Sequence, residues 1–114
     1  VSQVDDIFLR KLNDYLEENL SNEALSVEML ADTMGMSTSS LYRKDKGLSG
    51  ISPNDFIRIA RLKKAILLMQ NGENRISEIA FQVGFSSPAY FSTCFQKQYG
   101  KTPSEYLKQT GTKN

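Results

Sequence analysis

The sequence has no histidine and no tryptophan, a single cysteine and only three prolines. Without histidine it lacks the side chain that most often serves as a general base at neutral pH, and the commonest metal ligand. One cysteine closes no internal disulfide, which excludes an oxidised, disulfide-stapled scaffold. No apolar run approaches the roughly 20 residues that a membrane-spanning helix needs, and no secretory leader pattern opens the chain. Nor is there an excess of one charge: 14 basic and 13 acidic residues leave a formal +1 over 114 residues. With 39% hydrophobic and 24% charged residues, the composition is that of a folded domain rather than of a disordered tail.

What is present is helical periodicity. Ile7, Phe8, Leu12, Tyr15, Leu16 and Leu20 recur at three and four, which predicts a first helix over about 4–20 with those residues inward. Val27, Leu30, Ala31 and Met34 predict a short second helix, with Ser26 as its N-cap. Leu41 and Leu48 mark a third. Phe56, Ile59, Ala60, Lys63, Ile66 and Leu67 mark a long fourth helix running from Pro53 to about Gln70. Ile76, Ile79, Ala80 and Val83 give a fifth, Tyr90, Phe91, Cys94 and Phe95 a sixth, and Tyr106 and Leu107 a short seventh. No segment alternates with β-branched residues, so the expected class is all-α.

The chain also repeats itself. A shift of 49 pairs Val27 with Ile76, Leu30 with Ile79, Ala31 with Ala80, Gly35 with Gly84, Met36 with Phe85 and Ser37 with Ser86. After one inserted residue a shift of 50 pairs Leu41 with Phe91, Gly50 with Gly100, Pro53 with Pro103 and Phe56 with Tyr106. Apolar faces, turn glycines and helix starts are what a duplicated fold keeps. The expected organisation is a first subdomain over 1–52, a linker helix over 53–71 and a second subdomain over 72–114.

Each half carries Ala-x-x-x-Gly-apolar-Ser before a new helix, Ala31 to Ser37 and Ala80 to Ser86. A small residue lets a second helix cross closely. The glycine closes the first helix in a left-handed conformation, and the next residue tucks the turn inward. Ser37, and Ser86 or Ser87, can then cap the following helix. This is a helix-turn-helix pattern, whose second helix enters the DNA major groove. Ser52-Pro53-Asn54-Asp55 and Thr102-Pro103-Ser104-Glu105 each put a hydroxyl at N-cap, proline at N1 and a carboxylate at N3. They read as well-capped helix starts and nothing more.

Several segments together resemble the DNA-binding domain of the AraC/XylS family of transcription regulators. They are Leu41-Tyr42-Arg43-Lys44, Gly50 through Arg58, Arg61-Leu62-Lys63-Lys64-Ala65, Ile76 through Ser87, Tyr90-Phe91-Ser92 and Gly100 through Tyr106. The match covers about residues 5–108. The opening segment, with Glu17-Glu18-Asn19-Leu20-Ser21-Asn22, is similar to the C-terminal output domain of hybrid two-component regulators. The resemblance implies seven helices in two helix-turn-helix subdomains, fused to upstream receiver, kinase and sensor domains. It implies sequence-specific binding of double-stranded DNA, with two recognition helices in successive major grooves and RNA polymerase as a further partner. A cytoplasmic location and no membrane contact by this segment go with it. No enzyme activity, cofactor or metal is called for, because no acid, base and nucleophile cluster together in the sequence.

By the same resemblance the recognition helices fall at about 38–48 and 87–99. On the first, Ser39, Tyr42 and Arg43 are the base-reading candidates, and Lys46 also points outward. Arg43 can grip O6 and N7 of guanine with two bonds, or clamp phosphate instead. On the second, Pro88, Ala89, Ser92 and Thr93 are the base-reading candidates, and none carries charge. Ala89 and Thr93 suit thymine methyls, Ser92 suits a bond to either partner, and Gln96 suits adenine or phosphate. Such small, neutral contacts imply modest specificity, with DNA shape or phosphate positioning as the alternative for this half. Lys46, Arg58, Lys64, Gln96, Lys97 and Lys101 are the phosphate candidates, with a solvated basic face as the plainer account of the lysines and arginines. The rival function is a helical module that docks on RNA polymerase or a partner regulatory domain.

Cys94 has no histidine to activate it and sits among Phe91 and Phe95, so it reads as a packing residue. Tyr90, Phe91, Phe95 and Tyr99 read as core or core edge. Asp45 breaks the pattern. It stands four after Leu41 on the inward face, where the repeat puts Phe95. A carboxylate there is costly unless paired or turned outward. The expectation is a recognition helix distorted or frayed toward Gly47, or an Asp45 paired with Arg43 or Lys44. Charge is uneven as well. Residues 1–36 hold 2 basic and 8 acidic residues, while residues 37–64 hold 7 basic and 2 acidic.

Overall fold

The computed structural model describes residues 2–111. Among the described residues seven helices follow one another: α1 (Gln3–Asn19), α2 (Val27–Met34), α3 (Thr38–Ser49), α4 (Pro53–Gln70), α5 (Ile76–Gln82), α6 (Pro88–Tyr99) and α7 (Pro103–Gly111). Among the described residues there is no strand. The chain divides into two compact units within α4, one ending at Ala60 and the other starting at Arg61.

The first unit is built on the inward stripe of α1. Phe8, Leu12 and Leu16 gather with Leu20, Leu25, Leu30, Ala31, Leu41 and Ile57 into one buried cluster. Ser26 caps α2 by accepting the amide of Met29 at 3.2 Å, as its place before the apolar run implied. Ile7, expected inward, is 54% exposed. It precedes Phe8, and one step of about 100° around the helix carries it off the stripe that Phe8, Leu12 and Leu16 define.

The second unit packs Leu62, Ala65 and Met69 of α4 with Ile79, Ala80, Val83, Phe85, Phe91, Cys94 and Phe95. Aromatic edges lock it. Phe91 meets Phe95 at 5.7 Å between centroids, and Phe95 meets Tyr99 at 4.8 Å and Tyr106 at 5.8 Å. Cys94 is buried in this cluster as a small packing residue.

The inward face of α4 differs from the expected one. Ile57, Leu62, Ala65 and Met69 are buried, whereas Phe56, Ile59, Ala60 and Ile66 are half-buried and Lys63 and Leu67 are exposed. Apolar residues surround most of this helix at Phe56-Ile57 and again at Ala65-Ile66-Leu67-Leu68-Met69. Periodicity therefore defines a helix here without fixing its phase, and packing selects the phase.

Both later helix starts are capped as their Ser/Thr-Pro pattern predicts. Ser52 Oγ accepts the Asp55 amide at 3.3 Å, and Thr102 Oγ1 accepts the Glu105 amide at 3.2 Å. Glu105 answers by accepting the Thr102 amide at 2.7 Å, a complete capping box. Those amide and hydroxyl contacts hold the Glu105 carboxyl below its ordinary range. Pro53 and Pro103, at N1 of α4 and α7, are fully buried.

Candidate nucleic-acid interface

The two units make the same turn. In the first, Gly35 adopts φ +69°, its amide donates to Asp32 O at 3.1 Å, and the Met36 amide donates to Ala31 O at 2.9 Å. In the second, Gly84 adopts φ +94°, its amide donates to Phe81 O at 3.1 Å, and the Phe85 amide donates to Ala80 O at 3.0 Å. These are paired Schellman closures, which turn the chain sharply and satisfy the last carbonyls of α2 and α5. Ala31 and Ala80 are buried at the crossing, as a small residue there requires. A serine then starts each second helix: Ser37 Oγ accepts the Ser40 amide at 3.1 Å, and Ser87 Oγ accepts the Tyr90 amide at 3.1 Å. Of the two serines the sequence offered before α6, the cap is Ser87.

On α3 the candidates Ser39, Tyr42, Arg43 and Lys46 are all exposed. The ammonium of Lys46 lies 5.8 Å from the Tyr42 ring centroid, so the two form one cationic, aromatic feature a turn apart. On α6, Ala89, Thr93, Gln96 and Lys97 are exposed, while Pro88 and Ser92 are half-buried. The hydroxyl of Thr93 donates to Ala89 O at 3.1 Å. Lys64 on α4 is exposed, and Lys101 beyond α6 is half-buried. Arg58 is half-buried and pairs with Asp55 at 2.8 Å, so a phosphate would compete with that carboxylate.

Tyr90 corrects the expectation of a core-edge residue: it is 53% exposed on the first turn of α6, its ring set edge-on to Phe85 with the centroids 5.6 Å apart. The signal was available. Tyr90 lies about 100° to one side of the inward Phe91, as far round as Ser92 on the other side.

Asp45 is fully buried, yet α3 runs regularly through Gly47 to Ser49 without fraying. The expected distortion is absent, and so is the expected ion pair. Ser49 on the next turn donates its hydroxyl to Asp45 Oδ1 at 3.1 Å and to the Asp45 carbonyl at 2.7 Å, while Oδ2 is buried with no hydrogen bond. The ammonium of Lys44 lies over the Phe8 ring at 4.6 Å, and Arg43 faces solvent. Helix geometry explains this. Residues 43 and 44 point away from position 45, whereas position 49 stacks directly beneath it. Burial pushes the Asp45 carboxyl above its ordinary value, and the Ser49 hydroxyl opposes that only in part. This row of α3 is thus buried Leu41, buried Asp45 and exposed Ser49, where the repeat has Phe91, Phe95 and Tyr99 on α6.

Two closely matched helix-turn-helix units, each presenting its second helix, define a class, and comparison with known proteins agrees. A family model described as a helix-turn-helix domain matches residues 30–109, and the chain belongs to the AraC/XylS family of DNA-binding domains. Among curated proteins, histidine kinase P4 of Formosa agariphila is 41% identical over 106 residues, which cover 93% of this chain and 8% of that protein. The chain therefore corresponds to a small part of that relative's length. Among solved structures, the C-terminal domain of the two-component response regulator yesN from Fusobacterium nucleatum is 30% identical. It superposes with a TM-score of 0.80, covering 93% of this chain and 99% of that one. The DNA-binding domain of the global transcriptional factor AdpA, solved in complex with a target DNA, is 25% identical with a TM-score of 0.85. That match covers 93% of this chain and 95% of that one.

Proposed function

We propose that this chain binds double-stranded DNA in a sequence-specific manner as the output domain of a transcription regulator, with α3 and α6 entering successive major grooves. The observation that carries the reading is the duplicated turn: two Schellman closures with matched hydrogen bonds, each followed by a serine-capped helix whose outer face is exposed. In this reading Ser39, Tyr42 and Arg43 read bases from α3, and Pro88, Ala89, Ser92 and Thr93 read them from α6. Lys46, Arg58, Lys64, Gln96, Lys97 and Lys101 hold phosphates. Subdomains 1–52 and 72–114 then each serve one groove, and the 53–71 segment links them. The likeness to a response-regulator C-terminal domain and to part of a histidine kinase supports upstream receiver, kinase and sensor domains and work in the cytoplasm. Among the described residues no helix is long and apolar enough to cross a membrane. RNA polymerase is the further partner that a transcription output domain needs. The reading requires no catalytic chemistry.

A second reading, docking on RNA polymerase or a partner domain as the primary act, is favoured by one feature. In the second unit, Ile66, Leu67, Tyr99 and Tyr106 line an apolar groove with Lys63 at its edge. Selection of duplexes from a random library, followed by salt titration, separates the two. DNA binding predicts retained duplexes and a log–log salt slope near −0.9 per phosphate contacted. Arg43→Ala should then lose preference at one guanine by roughly 1–3 kcal/mol. If no duplex is retained at low salt, the docking reading stands instead.

A further inference from the structure

We infer that α6 reads its half-site chiefly through the 5-methyl groups of thymines, whereas α3 reads through charge and hydrogen bonds. The inference rests on the DNA-binding reading above, and α6 is a recognition helix by virtue of its turn and family, independently of which side chains it carries. What those side chains can do is then narrow. The exposed surface of its first two turns is made by Ala89, Tyr90 and Thr93, with Pro88 and Ser92 half-buried at its margins. None of these carries charge, and proline has no amide hydrogen to offer.

Thr93 is the decisive residue. Its hydroxyl donates to the Ala89 carbonyl one turn earlier at 3.1 Å, so the donor hydrogen is spent within the helix. What remains for a ligand is an acceptor oxygen, with no hydrogen to donate, and the Thr93 methyl, next to Ala89 one turn earlier on the exposed face. The Tyr90 ring extends that surface and is steadied by its edge contact to Phe85. On the floor of a major groove the apolar group that differs between base pairs is the thymine methyl. The contrast with α3 is chemical: over the equivalent turns Arg43 and the Tyr42 ring lie exposed there, and on the turn after them α3 has Lys46 where α6 has the uncharged Gln96.

The test uses the purified chain and the duplex it selects most strongly from a random library, resynthesised with deoxyuridine for thymidine. That change removes methyl groups and leaves every base-pairing and groove hydrogen bond in place. Affinity should fall about threefold to fivefold for each methyl contacted, the worth of one buried methylene-sized group. Thr93→Ser, which keeps the hydroxyl and removes only the methyl, should lose a similar factor on the thymidine duplex and nothing further on the deoxyuridine duplex. Thr93→Val should keep the thymidine preference. An unchanged melting temperature of Thr93→Ser excludes misfolding as the cause. If the wild type binds both duplexes equally, or if the Thr93→Ser and deoxyuridine losses multiply independently, the methyl reading is overturned and DNA binding stands. Retention of no duplex at all would overturn both.

Discussion

Asp45 shows how a single side chain can be right in placement and wrong in consequence. Its position four after Leu41 put it inward, and it is inward. What the sequence did not display was that Ser49, on the next turn, would hold one oxygen while the other stays unbonded. Because Ser49 also bonds the Asp45 backbone carbonyl, replacing the carboxylate leaves the serine satisfied. Asp45→Leu therefore removes a buried, half-satisfied charge without orphaning its neighbour. It should stabilise the chain at pH 7 by about 1–3 kcal/mol, read as a rise in melting temperature. The pH dependence has a definite sign. A carboxyl raised in the fold favours the neutral form, so its contribution is fully present below the ordinary value of 3.8 and is lost as pH rises through the raised one. Relative to Asp45→Asn, the wild type should thus gain stability on acidification through that window. A melting-temperature difference between the two that does not change with pH would show that Asp45 does not titrate there.

At the scale of elements, legibility followed the strength of local chemistry. Helix starts marked by Ser26, Ser37, Ser52 and Thr102 appear where those residues stand, because a hydroxyl cap acts on amides two or three residues away and needs no tertiary partner. The Gly35 and Gly84 closures were legible for the same reason. The phase of α4 was not, since residues such as Ile66 and Leu67 are as apolar as the buried Ala65 and Met69, and only packing distinguishes them. The turn itself gives a clean test. Nothing lies within 4 Å of a Cβ placed on Gly35, so Gly35→Ala meets no clash and pays only for its left-handed backbone. The expected loss is about 1–2 kcal/mol by chemical denaturation. A neutral outcome would mean that the α2–α3 turn is not held in that conformation in solution.

Over the whole molecule, a net charge of +1 conceals an acidic opening third and a basic stretch over 37–64 that carries α3 and the start of α4. The duplication, more than the composition, made the class readable. One Ala-x-x-x-Gly pattern is common, but two at a shift of 49, each leading into a capped helix, constrain the fold closely. Individual base contacts were less legible. Pointing outward is a property of the helix, whereas reading a base depends on which hydroxyls, such as that of Thr93, are already engaged. The central claim is that both second helices engage one duplex. The measurement that tests it most directly is a hydroxyl-radical and methylation footprint of the purified chain on its selected duplex. The account predicts protection of two major-groove segments about one helical turn apart, 10–10.5 base pairs centre to centre. Protection confined to a single segment would contradict it.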